Sequence, residues 1–500
     1  MTPDVKREVI RKLLHMGMGL FALCLRWLAP WQAVLCALAA LLHNLYLFPH
    51  YGMKRLERPE EKARGYSGMI GYPAVVLVLL VMSWFWGIGA GEGNSYYLFR
   101  REPGGCDLWF HQTLVLAAAS WAFLAAGDAL GALCGIFIGG PKLPWNPKKT
   151  WSGVAGFIVF GTSAAYGVSL VVGQSQWGGG CVRFLGFLPS DHPLLLLITG
   201  VVAATVESLP DQIDDNLTVP LGAWSVMALG MVGNPWWFDV HHPATVIPWS
   251  ATALTGLLIV NAALAGVAYW RGWVDRWGLL LGLVFGAVVA LGLGVPGYCL
   301  LLLFYLVANG STHYGKHVKE QRGIAEPHDG QRRAGSVFSK GFSPAIFALL
   351  SFPAFAASVA TYAADTAASE FGKTSKGRAV SLRALKVVPA GSVGAISLKG
   401  TLAGLSVLGL FLFVWGFGFW YCNAMFSWEM PKLTEFTLLG VAMSTVFCFF
   451  FESWFNEWNA SRRYFSKEVI HVMLGFLAGM LTYAPEVVRA VFLAAKGALP

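Results

Sequence analysis

Two stretches of this chain set acids, glycines and lysines inside strongly apolar sequence. The first is GDALGALCGIFIGGPKLPWNPKKTWSG, residues 127–153: Asp128 follows an apolar run, and Lys142, Lys148, Lys149, Thr150 and Gly153 follow in a basic loop. The second is ADTAASEFGK, residues 364–373, with Asp365 and Glu370, leading through Lys386 into the Gly-rich loop VVPAGSVGAISLKGT, residues 387–401. More acids stand in VESLPDQIDDNLTVPL, residues 206–221, where Glu207, Asp211, Asp214 and Asp215 cluster, and Glu452-Ser453 ends a later apolar run. An ionisable group within an apolar span is costly and marks a functional candidate. Hard carboxylate oxygens suit Mg²⁺, which takes one or two carboxylates together with substrate phosphates. Glycines let backbone N–H groups approach phosphate oxygens, and lysines neutralise the charge that phosphoryl transfer develops. Acids beside Gly/Lys loops at a membrane face therefore point to Mg²⁺–nucleotide chemistry on a lipid.

Each element also has a simpler reading. Gly131, Gly135 and Gly139 recur every four residues, the small-xxx-small pattern of close helix packing. The lysine clusters can serve as topology signals, and Asn216 can cap a helix. At the N-terminus Arg11, Lys12 and His15 open the first span; Lys12 and His15 are three apart and share a helix face, where they can meet a nucleotide phosphate or an alcohol.

The elements that must position these residues are membrane helices. The chain has 500 residues, 56% hydrophobic and 13% charged, against about 25% charged for soluble domains. Apolar runs near 13–28, 31–48, 68–90, 112–139, 152–172, 193–209, 216–232, 246–269, 277–292, 295–309, 335–351, 354–371, 393–421, 434–451 and 467–484 predict an all-α, polytopic integral membrane protein, with roughly 14–15 transmembrane helices. Continuous apolar runs argue against a β-barrel, which alternates over about ten residues. With the N-terminus cytoplasmic, 28 of the 36 Lys and Arg residues fall on one side, in clusters at 6–12, 54–64, 142–149, 271–276, 316–340, 373–386 and 462–467. Positive charge marks the cytoplasmic face, so the net charge of +9 reflects topology and not nucleic-acid binding, and the polar motifs all fall on that face. The basic N-terminus leads into a span without a small-residue cleavage site, so a bacterial inner membrane is the expected location. Eight scattered cysteines show no metal or disulfide spacing.

The polar joint RGWVDR, residues 271–276, separates two sets of spans, giving expected domains of residues 1–270 and 277–500. An acid near a span end, a basic Gly-rich loop and a Glu-Ser pair recur in the same order in both. The spacing from Asp128 to Glu207 is 79 residues and from Asp365 to Glu452 is 87, as two diverged copies of one unit would show.

The motifs RKLLHMG (11–17), ARGYSGMIGYP (63–73), GDALGALCGIFIGGPKLPWNPKKTWSGVAGF (127–157) and VESLPDQIDDNLTVPL (206–221) together resemble the dolichol/phytol kinase family over residues 1–232. That resemblance implies phosphorylation of a polyprenyl alcohol with CTP, and it carries over to Arg11, Lys12, His15, Asp128, Lys142, Lys149, Thr150, Glu207, Asp214, Asp215 and Asn216. Ile136 stands where that family commonly has an Arg. From about residue 277, QRRAGSVFSKG (331–341), ADTAASEFGK (364–373), KVVPAGSVGAISLKGTLAG (386–404) and FFESWFNEW (450–458) resemble the phytyl-phosphate kinase (DUF92) family. This second resemblance implies conversion of a prenyl monophosphate to the diphosphate, and it carries over to Asp365, Ser369, Glu370, Gly372, Gly391, Gly394, Ser397, Gly400 and Glu452. His471 stands where an Asn is usual.

The expectation is thus a bifunctional salvage kinase acting on a prenol and then on the prenyl phosphate, with a nucleoside triphosphate, CTP, and Mg²⁺. Asp128, Glu207, Asp214, Asp215, Asp365, Glu370 and Glu452 are the candidate metal ligands; Asp128, His15, Lys149, Asp365 and Glu370 are the candidate catalytic groups. Two other classes fit parts of the pattern. A CDP-lipid synthase shares the Mg²⁺–CTP requirement but carries a Gly-His-Gly-Gly element that is absent here. A lipid or ion transporter also has related halves and intramembrane acids, though its acids tend to lie at the midplane. The sequence leaves the prenol, the nucleotide and the oligomeric state open.

Overall fold

The computed structural model describes residues 3–51, 68–89, 108–174, 192–208, 215–231, 251–326, 330–375, 378–426, 435–460 and 465–482. The chain divides into two compact units, Met1–Pro235 and Trp236–Pro500. The joint at 271–276 lies within the second unit. Helices dominate both, and six helical stretches among the described residues are long and apolar enough to cross a membrane: Trp31–Tyr51, Leu114–Phe137, Trp151–Val172, Arg276–His313, Leu398–Gly418 and Thr437–Ala460. Three shorter apolar helices accompany them, Met69–Val81, Pro193–Ser208 and Leu254–Trp270.

In the first unit, α1 (Pro3–Gly19) leads through a 3-10 segment to α2 (Pro30–Leu42). α2 starts at a proline, whose missing N–H costs nothing in a first turn, and the Gln32 side chain accepts from the Ala29 N–H at 2.9 Å. α3 (Gly68–Gly89) precedes α4 (Leu108–Ala122), which passes through a π-helical turn at Phe123–Gly127 into α5 (Asp128–Phe137). This α4–α5 rod is the core of the unit, because 89% of its apolar window is buried, whereas that of α6 (Trp151–Val172) is 28% buried and keeps an apolar outer face. Strands β1 (Lys142–Leu143) and β2 (Asn146–Thr150) form a hairpin before α6, and α7 (Pro193–Ser208) and α8 (Asp215–Met231) complete the unit.

The second unit begins with α9 (Ala251–Trp270) and α10 (Arg276–His313). α10 is broken at Gly294, where φ is 55°, two residues before Pro296. That break matches the two spans expected at 277–292 and 295–309, since a left-handed residue and a missing N–H interrupt the helical ladder. A short α11 (Lys316–Gln321) leads to α12 (Ala334–Leu350) and the Ala-rich α13 (Phe352–Lys373), buried from Ala354 to Ala368. An antiparallel sheet of order β4-β3-β5 follows, from β3 (Arg378–Ser381), β4 (Val387–Pro389) and β5 (Ala395–Ile396). α14 (Leu398–Phe426), α15 (Glu435–Ala460) and α16 (Lys467–Leu481) close it.

The two units share several local features. In the first, Thr150 caps α6 by accepting from the Gly153 N–H at 3.2 Å; in the second, Ser397 accepts from the Gly400 N–H at the same distance at the start of α14. The helix bearing the acid packs on this cap through small residues three and seven positions after the acid: Gly131 and Gly135 after Asp128, Ala368 and Gly372 after Asp365. A methyl on Gly135 would meet Thr150 Oγ1 at 3.0 Å, and one on Gly372 would meet Ser397 Oγ at 3.2 Å. In lipid, helices associate through such close packing because apolar surface gains nothing by changing partners. Gly131 and Gly135 therefore follow the packing reading. Gly139 does not: it has φ of 68° with open space around it and turns the chain beyond α5 together with Gly140.

A methyl at Gly400 would lie 2.5 Å from the Ala368 carbonyl oxygen, which is backbone and cannot swing aside, whereas Gly409 on the same helix faces open space. Gly400→Ala should lower stability by about 1–3 kcal/mol through overpacking, and Gly409→Ala should not. Thermal unfolding in detergent tests the pair, and equal melting of the two variants would contradict this packing.

Candidate functional site

In the first unit, Asp128 opens α5 directly after the π turn and is 4% exposed. A π turn rotates the residues after it relative to a regular helix and recurs at functional sites. Lys12 Nζ on α1 lies 2.6 Å from both Asp128 carboxylate oxygens, and His15 Nδ1, three residues on, lies 3.3 Å from Oδ2. The shared face expected for Lys12 and His15 is thus the face that meets Asp128. Glu207 ends α7 and Asp215 starts α8; one carboxylate oxygen from each, with one from Asp128, lie within 4.8 Å of one another. Asp215 also gains from the positive end of its helix. Lys149 on β2 pairs with Glu207. Burial opposes the charge on Lys149, but Glu207, Asp215 and Asp128 outweigh it and raise its pKa.

The hairpin is fixed by residues that the sequence reading passed over. Trp145 Nε1 donates to Ser208 Oγ at 3.1 Å, and Asn146 Nδ2 donates to the Ser208 carbonyl at 3.2 Å, tying the loop to the end of α7. His15 is fixed by the Tyr72 ring, edge-on with centroids 4.2 Å apart, and Trp121 Nε1 donates to the Tyr72 hydroxyl oxygen at 2.5 Å. The signal for Tyr72 was its place in the motif of residues 63–73. Trp121 had none, because an indole on an apolar helix reads as core.

The other candidates of this half have different contacts. Arg11 pairs with Glu8 at 3.6 Å, and Lys142 and Lys148 are exposed on the hairpin. Thr150 and Gly153 are engaged in the α6 cap. Asp211 and Asp214 lie outside the described residues.

In the second unit, Asp365 on α13, Glu452 on α15 and His471 on α16 bring ligand atoms within 4.8 Å of one another, all buried. Lys340 on α12 stands where Lys12 stands in the first unit: its Nζ lies 3.3 Å from Asp365 Oδ2 and 2.7 Å from Thr366 Oγ1. Glu452 accepts from the Asn456 amide one turn on. Glu370, expected beside Asp365, is not brought to it. Five residues turn a helix about 140° away from the starting face, and Glu370 is held by Lys319 and Lys373, each at 2.6 Å. Lys319 also donates to the Thr312 carbonyl at 2.6 Å.

The loop candidates of this half shape the fold near the acids. A methyl on Gly394, with φ of 72°, would lie 2.4 Å from the Ser453 carbonyl oxygen, so only glycine lets the loop press on the end of the Glu452 turn. Ser381 Oγ donates to the Glu457 carboxylate at 2.6 Å and ties β3 to α15, as Trp145 and Asn146 tie the first hairpin to α7. Gly391 turns the chain with φ of 93°, Ser397 and Gly400 form the α14 cap, and Lys386 is exposed.

Each unit is therefore a bundle of membrane helices that buries a small cluster of acids, partly balanced by lysine, beside a short strand–turn element. The model of the integral membrane protein DUF92 family matches residues 259–470. An uncharacterized membrane protein of Synechocystis sp. is 33% identical over 192 residues, 36% of this chain and 72% of that protein. Phytol kinase 1, chloroplastic, of Arabidopsis thaliana is 25% identical over 236 residues, 43% of this chain and 64% of that protein. Farnesol kinase, chloroplastic, of the same plant is 31% identical over 135 residues, 26% of this chain and 40% of that protein. The chain belongs to the same family of integral membrane proteins as the Synechocystis protein, with the DUF92 match in its second unit. No solved structure matches it significantly.

Lys12 and Asp128 form a buried pair, so removing one partner strands the other. Lys12→Met should cost about 3–5 kcal/mol of stability, and adding Asp128→Asn should restore much of it. Thermal or denaturant unfolding of the two single variants and the double variant measures the coupling; additive losses would contradict the pair.

Proposed function

We propose that this chain is a bifunctional isoprenoid-alcohol kinase. The first unit, dolichol/phytol kinase-like, phosphorylates a prenol; the second, phytyl-phosphate kinase-like, phosphorylates the prenyl phosphate to the diphosphate. The donor is a nucleoside triphosphate, CTP. One observation carries the reading: each unit buries an acid cluster beside the cap that joins a strand–turn element to a long helix, and the relatives include a phytol kinase and a farnesol kinase.

The donor set of the first unit fits Mg²⁺. Asp128, Glu207 and Asp215 offer hard oxygens from three helices, and the two lysines paired with them, Lys12 and Lys149, leave negative charge for a divalent ion. In the second unit Asp365 and Glu452 are the acids that would take part. When bound, the ion would supply charge neutralisation at the nucleotide phosphates. The chain's own residues do the rest. Lys149, held charged by its acids, faces the phosphates, and the apolar helix faces hold the prenyl chain with its hydroxyl at the polar boundary. His15 is oriented by Asp128 and Tyr72 so that its second nitrogen receives the hydroxyl proton as the prenol oxygen bonds to the γ-phosphorus. The bond from that phosphorus to the β–γ bridging oxygen breaks, and the nucleoside diphosphate leaves.

In the second unit Lys340 takes the position beside Asp365, and the acceptor is already a phosphate. The distribution of Lys and Arg supports a cytoplasmic side for both sites, and the membrane in this reading is a bacterial inner membrane. The prenyl phosphate made by one unit stays in the same membrane for the other.

Asp128→Asn should abolish prenol phosphorylation while sparing phosphorylation of supplied prenyl phosphate, and Asp365→Asn should do the reverse. Labelled nucleotide with chromatographic separation of the lipid products reads both steps. Equal loss of both steps in both variants would contradict the two-site account. Retention of the nucleoside monophosphate in the lipid would identify a nucleotidyl transferase, and lipid flux into vesicles without nucleotide consumption would identify a transporter.

A further inference from the structure

The two acid clusters differ in one donor. The first is made of carboxylates alone, Asp128, Glu207 and Asp215; the second replaces one carboxylate with an imidazole. We propose that Asp365, Glu452 and His471 form a mixed oxygen–nitrogen site for a first-row transition divalent cation, which binds there in preference to Mg²⁺. The proposal rests on Asp365 as a metal-holding acid and is independent of whether this unit transfers phosphate.

Three observations carry it. The ligand atoms come from three separate helices and converge within 4.8 Å, with Asp365, Glu452 and His471 exposed by only 8%, 8% and 5%. His471 is a buried side chain whose ring makes no hydrogen bond among the described residues. One of its ring nitrogens lies within 4.8 Å of a carboxylate oxygen of each acid.

The third observation is that this position is built. The Tyr362 hydroxyl donates to the His471 carbonyl at 2.6 Å and accepts from Ser343 Oγ at 2.8 Å, fixing α16 against α12 and α13 at the residue that carries the imidazole. The close approach needs Gly475, where a methyl would lie 2.1 Å from the Tyr362 hydroxyl. Lys340 contacts Asp365, and among the described residues the side-chain bond to Glu452 comes from the neutral Asn456 amide.

Donor chemistry then sets the ion. Mg²⁺ favours oxygen shells, whereas imidazole favours the later first-row ions, with affinity rising from Mn²⁺ towards Co²⁺ and beyond. Lys340, which holds Asp365 in the resting arrangement, is free on metal binding to turn towards a phosphate.

The test uses the full chain in detergent, stripped of metal, with no lipid or nucleotide. Co²⁺ binding is followed by visible absorption and by competition with Mg²⁺ in the Asp128→Asn background, where the first cluster is disabled. The expected result is a Co²⁺ spectrum retained in Asp128→Asn and lost with Asp365→Asn. Adding His471→Asn should weaken Co²⁺ by at least about tenfold, with Mg²⁺ changed far less. Undiminished Co²⁺ affinity in the His471 variant, or loss of the spectrum with Asp128→Asn alone, overturns the proposal. Pulsed EPR of Mn²⁺ in Asp128→Asn gives a readout that does not depend on the folding of a His471 variant: imidazole nitrogen coupling is expected, and its absence overturns the assignment. Because no substrate is present, a chain that binds Co²⁺ here but phosphorylates nothing would contradict the kinase reading alone.

Discussion

A carboxylate buried on an apolar helix is the constraint on which each unit depends. Removing such a charge from water costs several kcal/mol, and the loss is offset only by close partners of opposite charge with good geometry. Asp128 therefore draws Lys12 and His15 from α1, and Asp365 draws Lys340 from α12. The helices cannot be rearranged without stranding a charge. The acid sets which helices must meet, and the small residues beside it set how closely they meet.

The same constraint explains the strand–turn elements. A lysine or a tight glycine turn has to reach the acids from outside the bundle, and a free loop would not stay there. Hydrogen bonds from Trp145 and Asn146 to Ser208 fix the first hairpin to the end of α7, and Ser381 fixes the second to Glu457 on α15. In both units the element then hands the chain to a helix capped by Thr150 or Ser397. The units share this construction while differing in their third donor, Asp215 or His471.

Much of this was legible in the sequence, for physical reasons that also mark its limit. An acid in an apolar run is conspicuous because its cost is high, so Asp128, Glu207, Asp215, Asp365 and Glu452 stood out, as did the recurrence of acid, Gly-rich loop and Glu-Ser pair. The spacing of Lys12 and His15 predicted a shared face, and that face meets Asp128. The two spans expected at 277–292 and 295–309 correspond to the break in α10 at Gly294. Partners that converge from distant helices left no such trace. Lys340 read as a topology signal and His471 as a departure from a motif, yet both stand at Asp365 because α12 and α16 pack on α13. Glu370 shows the converse: proximity in sequence to Asp365 suggested a shared role, and the helical turn carries it to Lys319 instead. The strands in the basic loops were not foreseen either, since segments of two to five residues carry too little alternation to register.

In the proposed reaction, two separate acid clusters add two phosphates in succession to one lipid. The most direct measurement is the stoichiometry of a complete turnover by the purified wild-type chain, with limiting prenol and excess labelled nucleotide. The account predicts two nucleoside diphosphates released per prenol consumed, with prenyl monophosphate rising first and then falling as the diphosphate accumulates. One nucleoside diphosphate per prenol, with the monophosphate as the final product, would contradict it.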